Sequence, residues 1–111
     1  MAKKQISLGV IATAALEHFS ALLRIQRSEK GLTIEELADR LGVSRPTATK
    51  MLSGAPGVSI GSYFEAAYIL DVPLFDPDPD RLASLREKTK QLEALLPQRV
   101  KSTIEEIDDD F

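Results

Sequence analysis

Between Leu32 and Gly54 the chain carries the signals needed to start, stop and restart a helix within 23 residues. Thr33 is followed three positions later by Glu36, the spacing of a capping box, in which hydroxyl and carboxylate each satisfy a backbone N–H that the first helical turn leaves unpaired. Leu37, Ala38 and Leu41 supply the buried side of that helix. Gly42 can adopt the left-handed conformation that ends a helix abruptly, Val43 can point inward, and Ser44 can cap a second helix running to about Ser53. Pro46 falls in its first turn, where the missing N–H costs little. Two helices joined so tightly can cross only where the contacting side chains are small, and Ala38, Gly42, Val43 and Ala48 meet that demand.

The flanking segments read as further helices. From about Ile11 to Lys30, Ala15, Phe19, Leu22, Leu23 and Ile25 recur at roughly three- and four-residue spacing, and Gly31 ends the run. After the turn cluster Gly54-Ala-Pro-Gly57, Ser59 can cap a fourth helix whose apolar side includes Ile60, Phe64, Ala67, Ile69 and Leu70, closed by Val72-Pro73. Asp76-Pro-Asp-Pro-Asp80 reads as a stiff acidic connector. It leads to a fifth helix from Arg81 to Leu96 with Leu82, Leu85, Leu92 and Leu95 at near-heptad offsets, too short for a coiled coil to be assigned from two heptads. Pro97 stops it. With no strand pattern and no internal repeat, the expectation is an all-α chain: an N-terminal arm over 1–10, a helical domain over 11–96 with the paired helices at 33–53, and an acidic tail over 97–111 expected to be disordered when alone.

The 111 residues include no Cys, which excludes a disulfide framework, a thiol nucleophile and Cys-based metal sites, and makes a reducing cytoplasm the simplest home. No apolar run approaches the length of a membrane span, and the first 26 residues lack the pattern of an export signal. The net charge of −3 conceals an asymmetry: residues 1–54 hold eight Lys and Arg against five Asp and Glu, and residues 55–111 hold six against twelve. A basic half joined to an acidic half can meet a polyanion with one end only. Lys3 and Lys4 suit either a DNA-touching arm or a solvated start.

Chemistry-bearing constellations are sparse. His18 is the single histidine and has no companion for a metal site, so packing or solvent exposure is its expected role. Asp76, Asp78 and Asp80 alternate as calcium-loop ligands do, but prolines fill the spacers and the required glycine and final glutamate are missing. Glu35 and Glu36 are accounted for by capping and the helix dipole. Without a nucleophile–base pair, a phosphate-binding glycine loop or a metal cluster, neither an enzyme nor a cofactor is expected.

The stretch Leu32-Thr-Ile-Glu-Glu-Leu-Ala, then Leu41-Gly-Val-Ser44, then Thr47 resembles the helix-turn-helix of phage-repressor-like (XRE/Cro-type) regulators, over about Phe19 to Leu70. That resemblance implies a five-helix lambda-repressor-like domain in which the Ser44–Ser53 helix enters the DNA major groove and the preceding helix lies across the backbone. It places Arg45, Pro46, Thr49 and Lys50 toward base edges, Ala48 and Met51 inward, and Thr33, Ser44 and Thr47 toward phosphate oxygens. Many relatives carry Gln or another long polar residue at positions 45 and 46. Here Arg45 and Pro46 remove adenine recognition by an amide and point to a guanine-containing half-site, since the arginine fork can donate two bonds to guanine O6 and N7.

Pro56-Gly-Val-Ser-Ile-Gly61, Val72-Pro-Leu-Phe-Asp-Pro77, Leu95-Leu-Pro-Gln-Arg-Val100 and the closing Asp108-Asp-Asp-Phe111 resemble the small HipB-type antitoxins paired with HipA-like Ser/Thr kinase toxins. The resemblance implies a homodimer that represses its own operon at a palindromic operator and binds the kinase. Val100, Ile104, Ile107 and Phe111, apolar residues in a charged tail, would then order on the kinase; a solubilising tail is the simpler alternative. The dimer could form through Leu82, Leu85, Leu92 and Leu95, through the turn near Pro56, or through the N-terminal segment. A repressor without a toxin, or an adaptor on the same fold, competes with this reading. Burial or acid pairing of Arg45 and Lys50 that leaves no basic face would favour the adaptor.

Overall fold

The computed structural model describes residues 7–97, among which five helices follow one another with no strand: α1 (Val10–Lys30), α2 (Ile34–Leu41), α3 (Arg45–Leu52), α4 (Ile60–Ile69) and α5 (Pro79–Ala94). None is long and apolar enough to cross a membrane. The N-terminal arm up to residue 6 and the tail from residue 98, with Lys3, Lys4, Val100, Ile104, Ile107 and Phe111, lie outside the described residues.

Most helix boundaries follow from local chemistry. Helices α1 and α2 end alike, at Gly31 (φ 67°) and Gly42 (φ 73°), left-handed positions where a side chain would be strained. In each case the N–H of the next residue turns back to the last turn, Leu32 to the Arg27 carbonyl at 3.2 Å and Val43 to the Ala38 carbonyl at 3.1 Å. Ser44 and Ser59 cap α3 and α4, accepting the backbone N–H groups of Thr47 and Ser62. Helix α5 starts at Pro79, two residues earlier than Arg81, because the Asp78 carboxylate accepts the Asp80 N–H at 2.9 Å and caps it. Part of the expected acidic connector is therefore the helix start.

The chain divides into two compact units, one ending at Leu74 and one beginning at Phe75, so residues 11–96 contribute to both. In the first unit Leu23, Leu32, Leu37, Met51, Leu52, Tyr63, Ala66, Ala67, Leu70 and Val72 form one buried cluster, with Phe19 and Leu22 packed against it.

Two helix faces differ in part from the sequence expectation. On α4 the buried set is Tyr63, Ala66 and Ala67, with Leu70 at its end, whereas Ile60 and Phe64 are exposed (69% and 41%). Apolar residues surround this helix, so spacing alone selects no side. The side carrying two alanines allows close approach, and the Tyr63 hydroxyl reaches the Ala55 carbonyl at 2.6 Å. On α1, Ala15 and Ile25 face solvent and Ser20 is buried beside Leu23. A serine fits there because its hydroxyl donates to the Glu17 carbonyl at 3.1 Å.

Helix α5 buries none of its residues, and its leucines are exposed.

Candidate nucleic-acid interface

Helix α3 is sided by packing. Ala48 and Met51 are fully buried and Leu52 nearly so, leaving Arg45, Pro46, Thr49 and Lys50 exposed on the outer surface. Alanine at 48 lets α3 lie close to its neighbours, while Met51 and Leu52 tie it to the core. The expected division of this helix into inward and outward residues is the one observed.

Its N-terminal end is set by hydroxyl chemistry. Ser44 Oγ accepts the Thr47 N–H at 3.2 Å and donates to Thr47 Oγ1 at 3.0 Å, so the serine proton is used internally and the threonine hydroxyl keeps its own to offer. Thr33 caps α2 reciprocally: its Oγ1 accepts the Glu36 N–H at 3.0 Å and its own N–H donates to Glu36 Oε1 at 2.8 Å. The Thr33 backbone N–H bonded to the carboxylate, followed by hydrogen bonding from the Thr33 side chain, holds the Glu36 carboxyl below the usual carboxylate range, with Arg40 assisting. Thr33 and Ser44 are thus caps first, and what each offers an anion is the helix end it organises.

The C-terminal end is held by residues that sequence reading passed over. Arg24 of α1 donates through Nη1 to the Leu52 carbonyl at 2.7 Å and lies 3.4 Å from Ser20 Oγ, anchoring the last turn of α3 across 28 residues of sequence. Arg24 looks like a solvated charge in an amphipathic pattern, and only the fold brings Leu52 to it. Gly54, at φ 84°, is equally constrained, because a Cβ there would stand 3.0 Å from Ser20 Oγ.

Charge is divided between the two helices. Helix α3 carries Arg45 and Lys50 and no acid, whereas α2 carries Glu35, Glu36 and Asp39 against Arg40. Glu36 is occupied by its cap. Glu35, accounted for by sequence with Glu36 through capping and the helix dipole, brings Oε2 to 3.8 Å from Arg45 Nη1, with both side chains well exposed (73% and 64%). That separation exceeds a hydrogen bond, and an exposed ion pair contributes about 0–1 kcal/mol. Lys50 forms no ion pair among the described residues. The surface therefore presents an always-charged planar fork, a mobile point charge and a threonine hydroxyl, which can donate to base edges and phosphate oxygens.

Among the described residues no group of His, Cys, Asp or Glu is arranged to hold a metal ion. Leu82, Leu85, Leu92 and Leu95 all lie on α5 or at its C-terminal cap, away from these elements in sequence and in the second compact unit.

A family model described as a helix-turn-helix domain matches residues 18–74, just over half of the chain. No curated protein and no solved structure matches it.

Proposed function

The chain belongs to the helix-turn-helix domain family, a class of DNA-binding regulators, and from that premise we propose that it is a sequence-specific transcriptional repressor whose α3 reads the DNA major groove. The observation that carries the reading is the exposed set Arg45, Pro46, Thr49 and Lys50 opposite the buried Ala48, Met51 and Leu52. A helix fixed on one side by a core and free on the other has the form that groove reading requires. Arg45 donates to guanine, Lys50 to guanine or phosphate, Thr49 and Pro46 meet neighbouring base edges, and Thr33, Ser44 and Thr47 orient the pair of helix ends on the backbone. The Arg45–Glu35 contact leaves the arginine exposed, so the basic surface that an adaptor would lack is retained.

The proposal extends to a homodimer on a palindromic operator, assembled through the exposed α5 leucines Leu82, Leu85, Leu92 and Leu95. It further makes the chain the antitoxin of a HipA-like kinase, repressing its own operon in the cytoplasm, with Val100, Ile104, Ile107 and Phe111 as kinase contacts. Support for that part is the resemblance carried by residues 56–61, 72–77, 95–100 and 108–111.

Fluorescence anisotropy against the duplex upstream of the chain's own gene, with a scrambled competitor and a salt series, tests the central claim. Binding that survives competition and weakens linearly in log salt is expected. Equal, weak binding to both duplexes rejects autorepression by the chain alone. Capture of a kinase that depends on residues 97–111 tests the antitoxin role; a repressor acting without a toxin is the outcome if none is captured.

A further inference from the structure

We infer that Glu35 is a specificity-determining residue, holding Arg45 for base reading and opposing its use as an indiscriminate phosphate contact. The inference rests on the DNA-reading role proposed for α3. Two adjacent glutamates open α2, and the structure separates their tasks: Glu36 closes the capping box, whereas Glu35 takes no part in it and points across the turn to the first residue of α3. As a largely exposed pair, Glu35 and Arg45 add little to folding. What the contact does is local. The nitrogen of Arg45 nearest to a Glu35 oxygen is Nη1, at 3.8 Å, and no hydrogen bond engages the edge formed by Nε and Nη2 among the described residues. That edge carries two parallel N–H groups, the arrangement that donates to O6 and N7 of one guanine. Arg45 can therefore keep Glu35 on one side while reading a base with the other.

Phosphate binding is affected differently. An arginine swinging toward the nearest backbone oxygen leaves the carboxylate unpaired, facing a polyanion. The negative charge of Glu35 thus weakens every complex in which Arg45 does not occupy its base-reading position, and disfavouring wrong complexes is as effective for discrimination as strengthening the right one. Acids are absent from α3 itself, so within the two-helix segment Glu35 is the carboxylate within 4 Å of a recognition-helix cation.

The test compares wild type, Glu35→Gln, Arg45→Ala and the double variant, each as the full chain. The probes are a duplex selected from a randomised pool by the wild type and a shuffled duplex of the same composition. Gln keeps the size and position of the side chain and removes its charge. Glu35→Gln is expected to bind the shuffled duplex about fivefold more tightly, the scale of one unit-charge contact near 4 Å in water, with less than about twofold change on the selected duplex. The specificity ratio falls accordingly, and that fall disappears when Arg45 is already alanine. An unchanged ratio overturns the inference, as does a fall of equal size with and without the Arg45 side chain, which would make Glu35 a remote charge. If the wild type enriches no duplex, or if Arg45→Ala leaves the ratio intact, the DNA-reading role of α3 fails first and the inference falls with it. Thermal unfolding of Glu35→Gln at the wild-type midpoint keeps any binding change separate from folding.

Discussion

Helices α3 and α5 begin in the same way and end in opposite situations. Each has an oxygen-bearing cap and a proline in its first turn: Ser44 and Pro46 for α3, Asp78 and Pro79 for α5. Helix α5 is twice as long, and its start is reinforced by Arg81, whose Nε donates to both oxygens of Asp76 at 3.2 and 3.0 Å. Yet the eight residues of α3 include three that are buried, and the sixteen of α5 include none. Local signals therefore suffice to define a helix, whereas packing decides whether it holds a fixed face toward a ligand. An isolated helix of this length is marginal in water even when well capped, and the α5 leucines are 39–80% exposed.

That contrast can be broken most forcefully in the core. Met51→Ala removes a fully buried side chain from the inner face of α3 and is expected to lower the unfolding free energy by about 2–5 kcal/mol, read by urea denaturation. A loss well under this range would mean that α3 is not held by its packing. Arg45→Ala acts on the outer face: it should weaken discrimination at one base pair by about 1–3 kcal/mol while leaving stability within about 0.5 kcal/mol. Uniform weakening across all sequences would argue for phosphate contact instead. Thr33→Ala opens the capping box of α2 and should reduce stability by about 1 kcal/mol.

Acidification sharpens the comparison without mutation. The Glu36 carboxyl in the first unit is lowered by the Thr33 backbone N–H and then by the Thr33 side chain, and Asp76 in the second by its bonds with Arg81, followed by the Asp78 N–H. A carboxyl whose folded pKa is depressed contributes stability that is present above its unfolded value and lost as pH falls through the folded one. Both contributions should accordingly begin to fall below about pH 4 and be gone once pH lies below the depressed folded values, seen by NMR as side-chain carboxyl titrations displaced to lower pH. An undisplaced Asp76 beside a displaced Glu36 would show the α5 start to be open in solution. The smallest change in folding is expected on α5. Leu85→Gln with Leu92→Gln should alter protomer stability by less than about 0.5 kcal/mol yet yield monomers in sedimentation if these leucines hold the proposed dimer. A retained dimer rejects α5 as the interface.

The parts legible in advance share a property. The Thr33–Glu36 box, the left-handed Gly31 and Gly42, and the caps at Ser44 and Ser59 each involve residues within a few positions of one another, so their partners are written beside them. The inward set of α3 was readable too, because the resemblance to a known pair of helices supplied the tertiary context that periodicity lacks. Where that context is missing, the expected faces are only partly the buried ones: Phe19, Leu22 and Leu23 on α1 and Ala67, Ile69 and Leu70 on α4 do pack into the core, whereas Ala15, Ile25, Ile60 and Phe64 do not. On α4 the stripe of Ile60 and Phe64 is as apolar as the one that is buried, and on α1 Ser20 offers no hydrophobic signal at all. Arg24 and Glu35 were missed for the same reason, since one finds its partner 28 residues away and the other ten.

By itself, then, the sequence determined where most of the helices start and stop, that no strand interrupts them among the described residues, and which eight-residue helix carries cations without acids. These depend on backbone groups and side chains a turn apart, whose energies do not wait for the rest of the chain. Tertiary structure alone decided which faces of α1 and α4 are buried, that Arg24 closes the end of α3, and that Glu35 stands beside Arg45. Those outcomes are set by competition among surfaces of similar hydrophobicity and by contacts between distant segments, where close packing of small residues and the pairing of buried polar groups select one arrangement.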